Sequence, residues 1–317
     1  MEDFSAKGGP ASGWDLVAVG SATVDLFLKI DPSNPHFKFN DQTSELSMHL
    51  GDKIVLDNAE FHTGGSANNV SVGVKRLGFK TALIAEIGND EFSEKIINNL
   101  KKEGVDSSRV LKGEGDSSFS IILNFKDDRT IFTKKQGREH NFSFKDLLTK
   151  WIYLTSLGEK WETAYQKVYE FVNEKAVNLA FNPGPTQIDK GLGSFSYILP
   201  KVDVLLLNKE EAESLVGKME IKELLFELRN LGAKTVVITD GSNGSYAISD
   251  TRNVLSQKAI EVQVVSKTGA GDAYSAGFLG AILSGKSIKE AMQWGTKNAA
   301  SVLSKIGAQT GLLTSIE

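Results

Sequence analysis

Apolar positions along the chain follow two alternating patterns, short continuous runs and longer stretches with helical spacing. Leu16 to Val19 is an apolar run ended by Gly20, the pattern of a strand buried on both faces. Asp31 to Asn40 carries Pro and Asn and predicts a loop. Ala67, Val70, Val74 and Leu77 recur at helical spacing, and Gly78 ends that helix. Thr81 to Ile87 predicts a strand. Asp90 caps a helix carrying Phe92, Ile96, Ile97 and Leu100, closed by Gly104. Ser118 to Phe125 and Arg129 to Thr133, on either side of Lys126-Asp127-Asp128, read as a hairpin.

The alternation then resumes. Strands are expected at Ile152 to Leu157, Val177 to Phe181, Val202 to Leu207 and Thr235 to Thr239. Helices are expected at Glu159 to Ala176, Lys209 to Val216 and Ile221 to Leu231. A strand-rich patch, Ser245 to Val265, precedes two closing helices, Asp272 to Ser284 and Ile288 to Ser304. Repeated β-α-β units with short connections predict an α/β fold: a mostly parallel central sheet with helices on both faces. The hairpin and the Phe27 to Phe61 region do not fit that layer and predict a small β-lid, over roughly 22–63 and 117–134. No internal repeat, low-complexity run or linker divides the chain. Residues 1–14 read as a flexible tail and 15–317 as one domain.

Composition narrows the function. The chain has 317 residues, no cysteine and a net charge of −4. Without cysteine there is no disulfide, thiol nucleophile or Cys-type zinc site. The histidines (His36, His49, His62, His140) never form an H-x-x-x-H spacing, which argues against a His-rich metal site. The absence of a basic block argues against a nucleic-acid partner. No run of about 18 apolar residues suggests a membrane span, and the first residues lack a signal-peptide pattern. A cytoplasmic protein that handles a small molecule is the expectation. The 30 glycines are the informative excess, because many sit in short clusters.

Four of these clusters carry chemistry. Ser266-Lys267-Thr268-Gly269-Ala270-Gly271-Asp272 stands directly before the helix from Ala273. Small residues at a strand-to-helix turn let backbone N–H groups converge on an anion. A carboxylate at the mouth of such a hole suits proton removal from an attacking hydroxyl, although Asp272 could equally be a plain N-cap. Gly64-Gly65-Ser66-Ala67-Asn68-Asn69 also precedes a helix. Its glycines allow a ligand close to the backbone, and Asn69 offers a donor and an acceptor to hydroxyls; a tight turn with Asn capping is the alternative. Asn208-Lys209-Glu210-Glu211 follows an apolar strand, where open α/β sheets bind ligands; a solvated acidic helix start explains it as well. Thr239-Asp240-Gly241-Ser242-Asn243-Gly244, also at a strand end, is a turn or a phosphate-contacting loop. A fifth match, Gly280 to Ser287, has the spacing G-x-x-x-x-G-K-[ST] but lies on and beyond a helix, the wrong context for a phosphate loop.

In their order along the chain, these motifs resemble the ribokinase-like (PfkB-type) family of small-molecule kinases, from Asp15 to about Gly311. Gly64-Gly65 through Gly78 is similar to the family's first signature, and Gly269-Ala270-Gly271-Asp272 with Gly277 and Phe278 to its second. The resemblance implies a nine-stranded or similar sheet with a β-lid, and transfer of the ATP γ-phosphoryl group to a hydroxyl with Mg²⁺. It implies Asp272 as catalytic base and Gly269, Ala270 and Gly271 as the anion hole. It places Asp25, at the end of the first strand, with Gly64, Gly65 and Asn69 on the substrate. Asn208 and Glu211 would organise Mg²⁺ through water. Thr239, Gly241 and Gly244 would form the nucleotide loop, with Asn208 on the nucleotide and Asn298 on the adenine side. Ser266-Lys267-Thr268 stands where many members have Asp-Thr-Thr, so potassium activation is not expected, and Lys267 adds positive charge. The expected substrate is a sugar or sugar acid, with a nucleoside as the alternative and a non-catalytic binding protein as a third reading. A homodimer through the lid is also implied.

Overall fold

The computed structural model describes residues 13–56, 58–126, 128–250 and 253–316. Most of the expected tail, residues 1–12, lies outside them. Trp14, placed in that tail, is instead the first residue of strand β1 (Trp14–Val19), where it pairs with Thr149. Strand β2 (Thr23–Ile30) follows after three residues. The segment expected to be a loop contains β3 (Phe37–Asn40), which pairs with β4 (Glu45–Met48) as a separate ribbon. Strand β5 (Asn58–Gly64) leads into helix α1 (Ser66–Arg76). Gly78, at φ +98°, ends that helix, as only a residue without Cβ does comfortably.

The run expected as one strand bends at Ala85 into β6 (Thr81–Ile84) and β7 (Glu86–Ile87). Helix α2 (Glu91–Glu103) has the predicted ends. Asp90 accepts from the Ser93 N–H in a capping box, Lys101 and Lys102 sit in the last turn, and Gly104 closes it in the left-handed region. Strand β8 (Leu111–Lys112) pairs with β7. Then β9 (Phe119–Phe125) and β10 (Asp128–Lys134) make the predicted hairpin.

The alternating half comprises β11 (Thr149–Thr155), α3 (Glu162–Glu174), β12 (Asn178–Asn182), a short α4 (Pro185–Asp189), β13 (Val204–Asn208), α5 (Lys209–Val216), α6 (Ile221–Asn230) and β14 (Thr235–Thr239). Among the described residues, only β15 (Ser245–Ile248) and β16 (Leu255–Gln257) form in the strand-rich patch. Helices α7 (Ala270–Leu283) and α8 (Ile288–Leu303) close the chain.

The main sheet has eight strands among the described residues, in the order β16-β15-β14-β13-β12-β11-β1-β6. It is parallel from β6 to β14, and β15 and β16 add an antiparallel edge. Alternate residues of β1 feed opposite cores: Leu16 and Ala18 pack with α1, α2, α7 and α8, whereas Val17 and Val19 pack with α3, α5 and α6. The chain leaves β1 toward β6 on one side and β11 to β14 on the other, so a crevice opens beyond the carboxyl end of β1. The lid is a second sheet, β10-β9-β2-β5, in which β2 runs parallel to β9 and antiparallel to β5. Asp25 therefore does not end the first strand. It sits in β2, a lid strand, opposite His62 and Ser120.

Candidate active site

Two helices begin at the crevice, and neither has a side-chain cap. Helix α1 starts after Gly65, at φ +91°, where a Cβ would lie 2.6 Å from the Ser21 carbonyl. Helix α7 starts after Gly269, at φ +83°. The helix starts two to three residues earlier than expected: Ala270 and Gly271 are helical rather than a loop before it, and Asp272 lies in the first turn. Their N–H groups lack intrahelical acceptors and make a positive end suited to an anion.

Asp272 does not cap its own helix. Its Oδ2 accepts from Asn69 Nδ2 at 2.7 Å, and Ser66 is a second hydrogen-bond partner. Burial holds its carboxyl above the ordinary range, partly offset by those bonds. Asp25 is the second buried carboxylate. Gly64 makes room for it, since a Cβ there would be 2.0 Å from Asp25 Oδ2. Burial pushes Asp25 up to about 6, against hydrogen bonds from Thr23 and Ser120, and the Asp272 charge pushes the same way. Two carboxylates thus flank the Gly64-Gly65 turn, each shifted upward chiefly by burial.

Beyond Asp272 lies a cleft of about 250 Å³ whose far wall is the carboxyl ends of the parallel strands: Ser156 after β11, Asn182 on β12, Asn208 on β13 and Thr239 on β14. Ser66, Gly269, Gly271, Asp272 and Glu211 line it too. Asn208 and Glu211 form a reciprocal capping box at the start of α5. Asn208 Oδ1 accepts from the Glu211 N–H at 2.8 Å, and Glu211 Oε2 accepts from the Asn208 N–H at 2.9 Å. The motif does start a helix, but Glu211 is not the solvated side chain that reading expects: it is largely buried and, with Asn208, lines the cleft. Burial pushes the Glu211 carboxyl up to about 7, with the Asp272 charge adding to it.

Several expected residues are not brought to this cleft. Asn298 is fully buried; its Nδ2 donates to the Ala273 carbonyl at 2.7 Å and its Oδ1 accepts from the Leu313 N–H at 2.9 Å. Gly241 and Gly244 bracket the turn after β14, at φ +51° and +97°. Gly244 is needed for packing, because a Cβ would lie 2.1 Å from the Gln257 carbonyl. The Asn69 amide is engaged by protein groups at both ends.

No sequence motif marks Arg129. It stands on β10, yet it reaches the cleft together with Lys267, and its Nε is buried with no hydrogen-bond partner among the described residues. Lys267 also pairs with Asp128 of the lid at 3.5 Å. An arginine following a hairpin turn is ordinary on a surface ribbon, so only the folded lid reveals it.

The phosphate-loop spacing at Gly280 to Ser287 has no such setting. Gly280, Ala281 and Ile282 are buried within α7, and Lys286 pairs with Glu290 on an exposed helix start. Lys286→Ala is expected to change turnover by less than about threefold. A loss of about 10³-fold would give that lysine a role on phosphate.

Asp25 couples the site to stability. Between about pH 4 and pH 6 the folded chain keeps the Asp25 proton that the unfolded chain has released, so stability falls as pH rises through that window. Asp25→Asn removes the buried charge. It should raise unfolding free energy by about 1–3 kcal/mol near pH 8 and by little near pH 4. Urea titrations at both pH values measure this, and equal effects at the two would contradict it.

A sequence profile described as the pfkB family carbohydrate kinase matches residues 33–315. A protein named "uncharacterized sugar kinase" from Archaeoglobus fulgidus is 30% identical, covering 78% of this chain and 100% of that one. The 5-dehydro-2-deoxygluconokinase of Bacillus subtilis is 24% identical, covering 96% and 94%. The structure of Arabidopsis thaliana ribokinase, complexed with ribose and ATP, superposes with a TM-score of 0.77 at 21% identity, covering 95% and 96%.

Proposed function

Because this chain belongs to the pfkB family of carbohydrate kinases, phosphotransferases that act on a hydroxyl group, we propose that it transfers the γ-phosphoryl group of ATP to a hydroxyl of a sugar or sugar acid. The observation that carries this reading is the buried Asp272 carboxylate in the first turn of an uncapped helix, opening on the cleft at the strand ends.

In the reaction, the acceptor hydroxyl gives its proton to Asp272 as its oxygen bonds to the γ-phosphorus. The bond from that phosphorus to the ADP oxygen breaks, and ADP leaves with the electron pair. The N–H groups at the start of α7 hold the charge on the transferred group, and Arg129 and Lys267 add positive charge from the lid side. Asp25 holds the substrate hydroxyls from the lid. Lid closure keeps out the water that would otherwise accept the phosphoryl group.

Among the described residues no group of three His, Cys, Asp or Glu side chains could hold a metal ion. An all-protein cage is therefore absent there, whereas the Glu211 carboxylate and Asn208 amide suit a hydrated Mg²⁺ carried by phosphates. Such an ion, when bound, neutralises phosphate charge. Ser266 is buried and its Oγ already accepts from the Thr268 N–H at 3.3 Å. Rates in potassium and tetramethylammonium salts should therefore agree within about twofold; a several-fold activation specific to potassium would contradict this.

The lid aromatics favour a sugar over a nucleoside. Phe27 is buried edge-on against His62, and Phe39 packs on Phe125 with Lys126 over its ring. Phe61 meets Phe92 of α2, and Phe37 stands opposite Met48 on the outlying ribbon. These rings pack the lid on itself and on α2, rather than forming a platform for a base. Exposed Ile131 and Phe132 on edge strand β10 support a homodimer through the lid. ADP release with ribose, fructose, 2-keto-3-deoxygluconate, 5-dehydro-2-deoxygluconate, adenosine, inosine and cytidine tests the substrate reading. The highest kcat/KM is expected for a sugar or sugar acid. A nucleoside at least about tenfold above every sugar would overturn it.

A further inference from the structure

The segment after α8 reaches back into the site from the opposite end of the chain. Gly307, at φ +93°, turns it beside the His62 ring, and Ala308 lies against Gly269, where an added Cβ would come within 2.4 Å. The next residue, Gln309, is almost fully buried. Its Nε2 donates to Asn69 Oδ1 at 3.0 Å, and Asn69 Nδ2 donates to Asp272 Oδ2 at 2.7 Å. On its other side, Gln309 Oε1 accepts from Asn99 Nδ2 at 2.8 Å and Thr63 Oγ1 at 3.1 Å. The Gln309 carbonyl accepts from Arg76 Nη1 at 2.7 Å, and Arg76 is itself held by Glu103 through bonds of 2.8 and 2.9 Å.

This chain of amides has one polarity. A carboxylate only accepts, so Asn69 must turn its NH₂ toward Asp272 and its oxygen away. That oxygen then needs a donor, and Gln309 supplies one. The Gln309 oxygen in turn faces two donors, Asn99 and Thr63. An amide of Asn69 without Gln309 could rotate and present its oxygen to Asp272, which would set two acceptors against each other in a buried site.

We propose that Gln309 is a positioning residue for phosphoryl transfer: by donating to Asn69 it fixes which atom of that amide faces Asp272, and so holds the base in place. The inference rests on the reading of Asp272 as the base. The other charged and titratable groups around Asp272 are Asp25 on β2, Glu211 on α5, Tyr153 on β11, Arg129 on β10 and Lys267 before α7. Gln309→Met adds no charge to this set, so its titration reads the loss of the amide donor alone, whereas the carboxylate of Gln309→Glu also repels Asp272 directly.

Two near-isosteric variants test it. Gln309→Met removes the donor. Gln309→Glu keeps an acceptor for Asn99 and Thr63 but inverts the polarity toward Asn69. Carbon-13 NMR of aspartate-labelled full-length protein follows the Asp272 carboxyl through a pH titration, with Asp272→Asn identifying its resonance. Its midpoint should rise by about one pH unit in Gln309→Met and further in Gln309→Glu. With the best acceptor from the substrate panel, kcat should fall about 10-fold and about 10²-fold respectively, with the KM for ATP within about twofold of the parent. Asn99→Ala, which leaves the donor in place, should change kcat by less than about threefold. A lower Tm with an unmoved Asp272 midpoint in either folded variant would make Gln309 merely structural and overturn the proposal. If instead Asp272→Asn itself keeps parental turnover, the base assignment fails, while the titration still reports whether Gln309 orients that carboxylate.

Discussion

Asp272→Asn lowers kcat by about 10²-fold or more while the fold and the affinity for ATP stay close to the parent's. The side chains are nearly the same size, and the amide oxygen of an asparagine can still accept from Asn69 Nδ2, so the local geometry has little reason to move. What disappears is the ability to take a proton. The carboxylate is buried with its charge disfavoured, and a neutral amide relieves that cost, so stability at neutral pH should be equal or higher. Loss of turnover together with an unchanged or raised Tm separates a chemical role from a structural one. Isothermal titration with a non-hydrolysable ATP analogue checks the binding half. Parental turnover in the variant, with the true acceptor, would remove Asp272 from the mechanism.

Gly269→Ala is expected to damage both folding and catalysis. At φ +83° an L-residue with Cβ is strained by about 1–2 kcal/mol. The new methyl would also lie 2.4 Å from Ala308 Cβ and 2.6 Å from its Cα. Relief requires moving either the 307–309 segment or the first turn of α7, at a further cost of about 1–3 kcal/mol. Either movement misaligns the N–H groups aimed at the transferred phosphoryl group, for which a loss of about 10²–10³-fold in kcat is expected. Gly271→Ala is the internal comparison. Its Cβ meets nothing within 4 Å and its φ is not in the left-handed region, so its Tm should stay within a few degrees of the parent. Thermal melts of the two variants side by side make the test. Equal melting temperatures would mean that the Gly269 contact with Ala308 is not a constraint.

Much of the fold is legible in the sequence because the signals are local. Asp90, Ser93 and Gly104 delimit α2 within a few turns of chain, and the apolar runs ending at Asn208 and Thr239 mark parallel strands whose carboxyl ends line the cleft. The glycine clusters at 64–65 and 269–271 were readable for the same reason: backbone conformation at a helix start depends on the residues at the turn itself. Other features depended on which distant segments the topology brings together. Asp25 follows an apolar run closely enough to look like its end, but pairing with β5 and β9 assigns it to the lid. Asn298, read as facing the nucleotide, ties α7 to the C-terminal segment from a fully buried position. Arg129 enters the cleft only because the lid folds over it. Asn69 and Asp272 are 203 positions apart, and Gln309 meets Asn69 across 240. Periodicity and turn chemistry act over about ten residues and so determine elements and their ends. The pairing of one buried carboxylate with one amide is settled only when strand order and helix packing place both against the same side of the sheet, where an unpaired polar group would be costly.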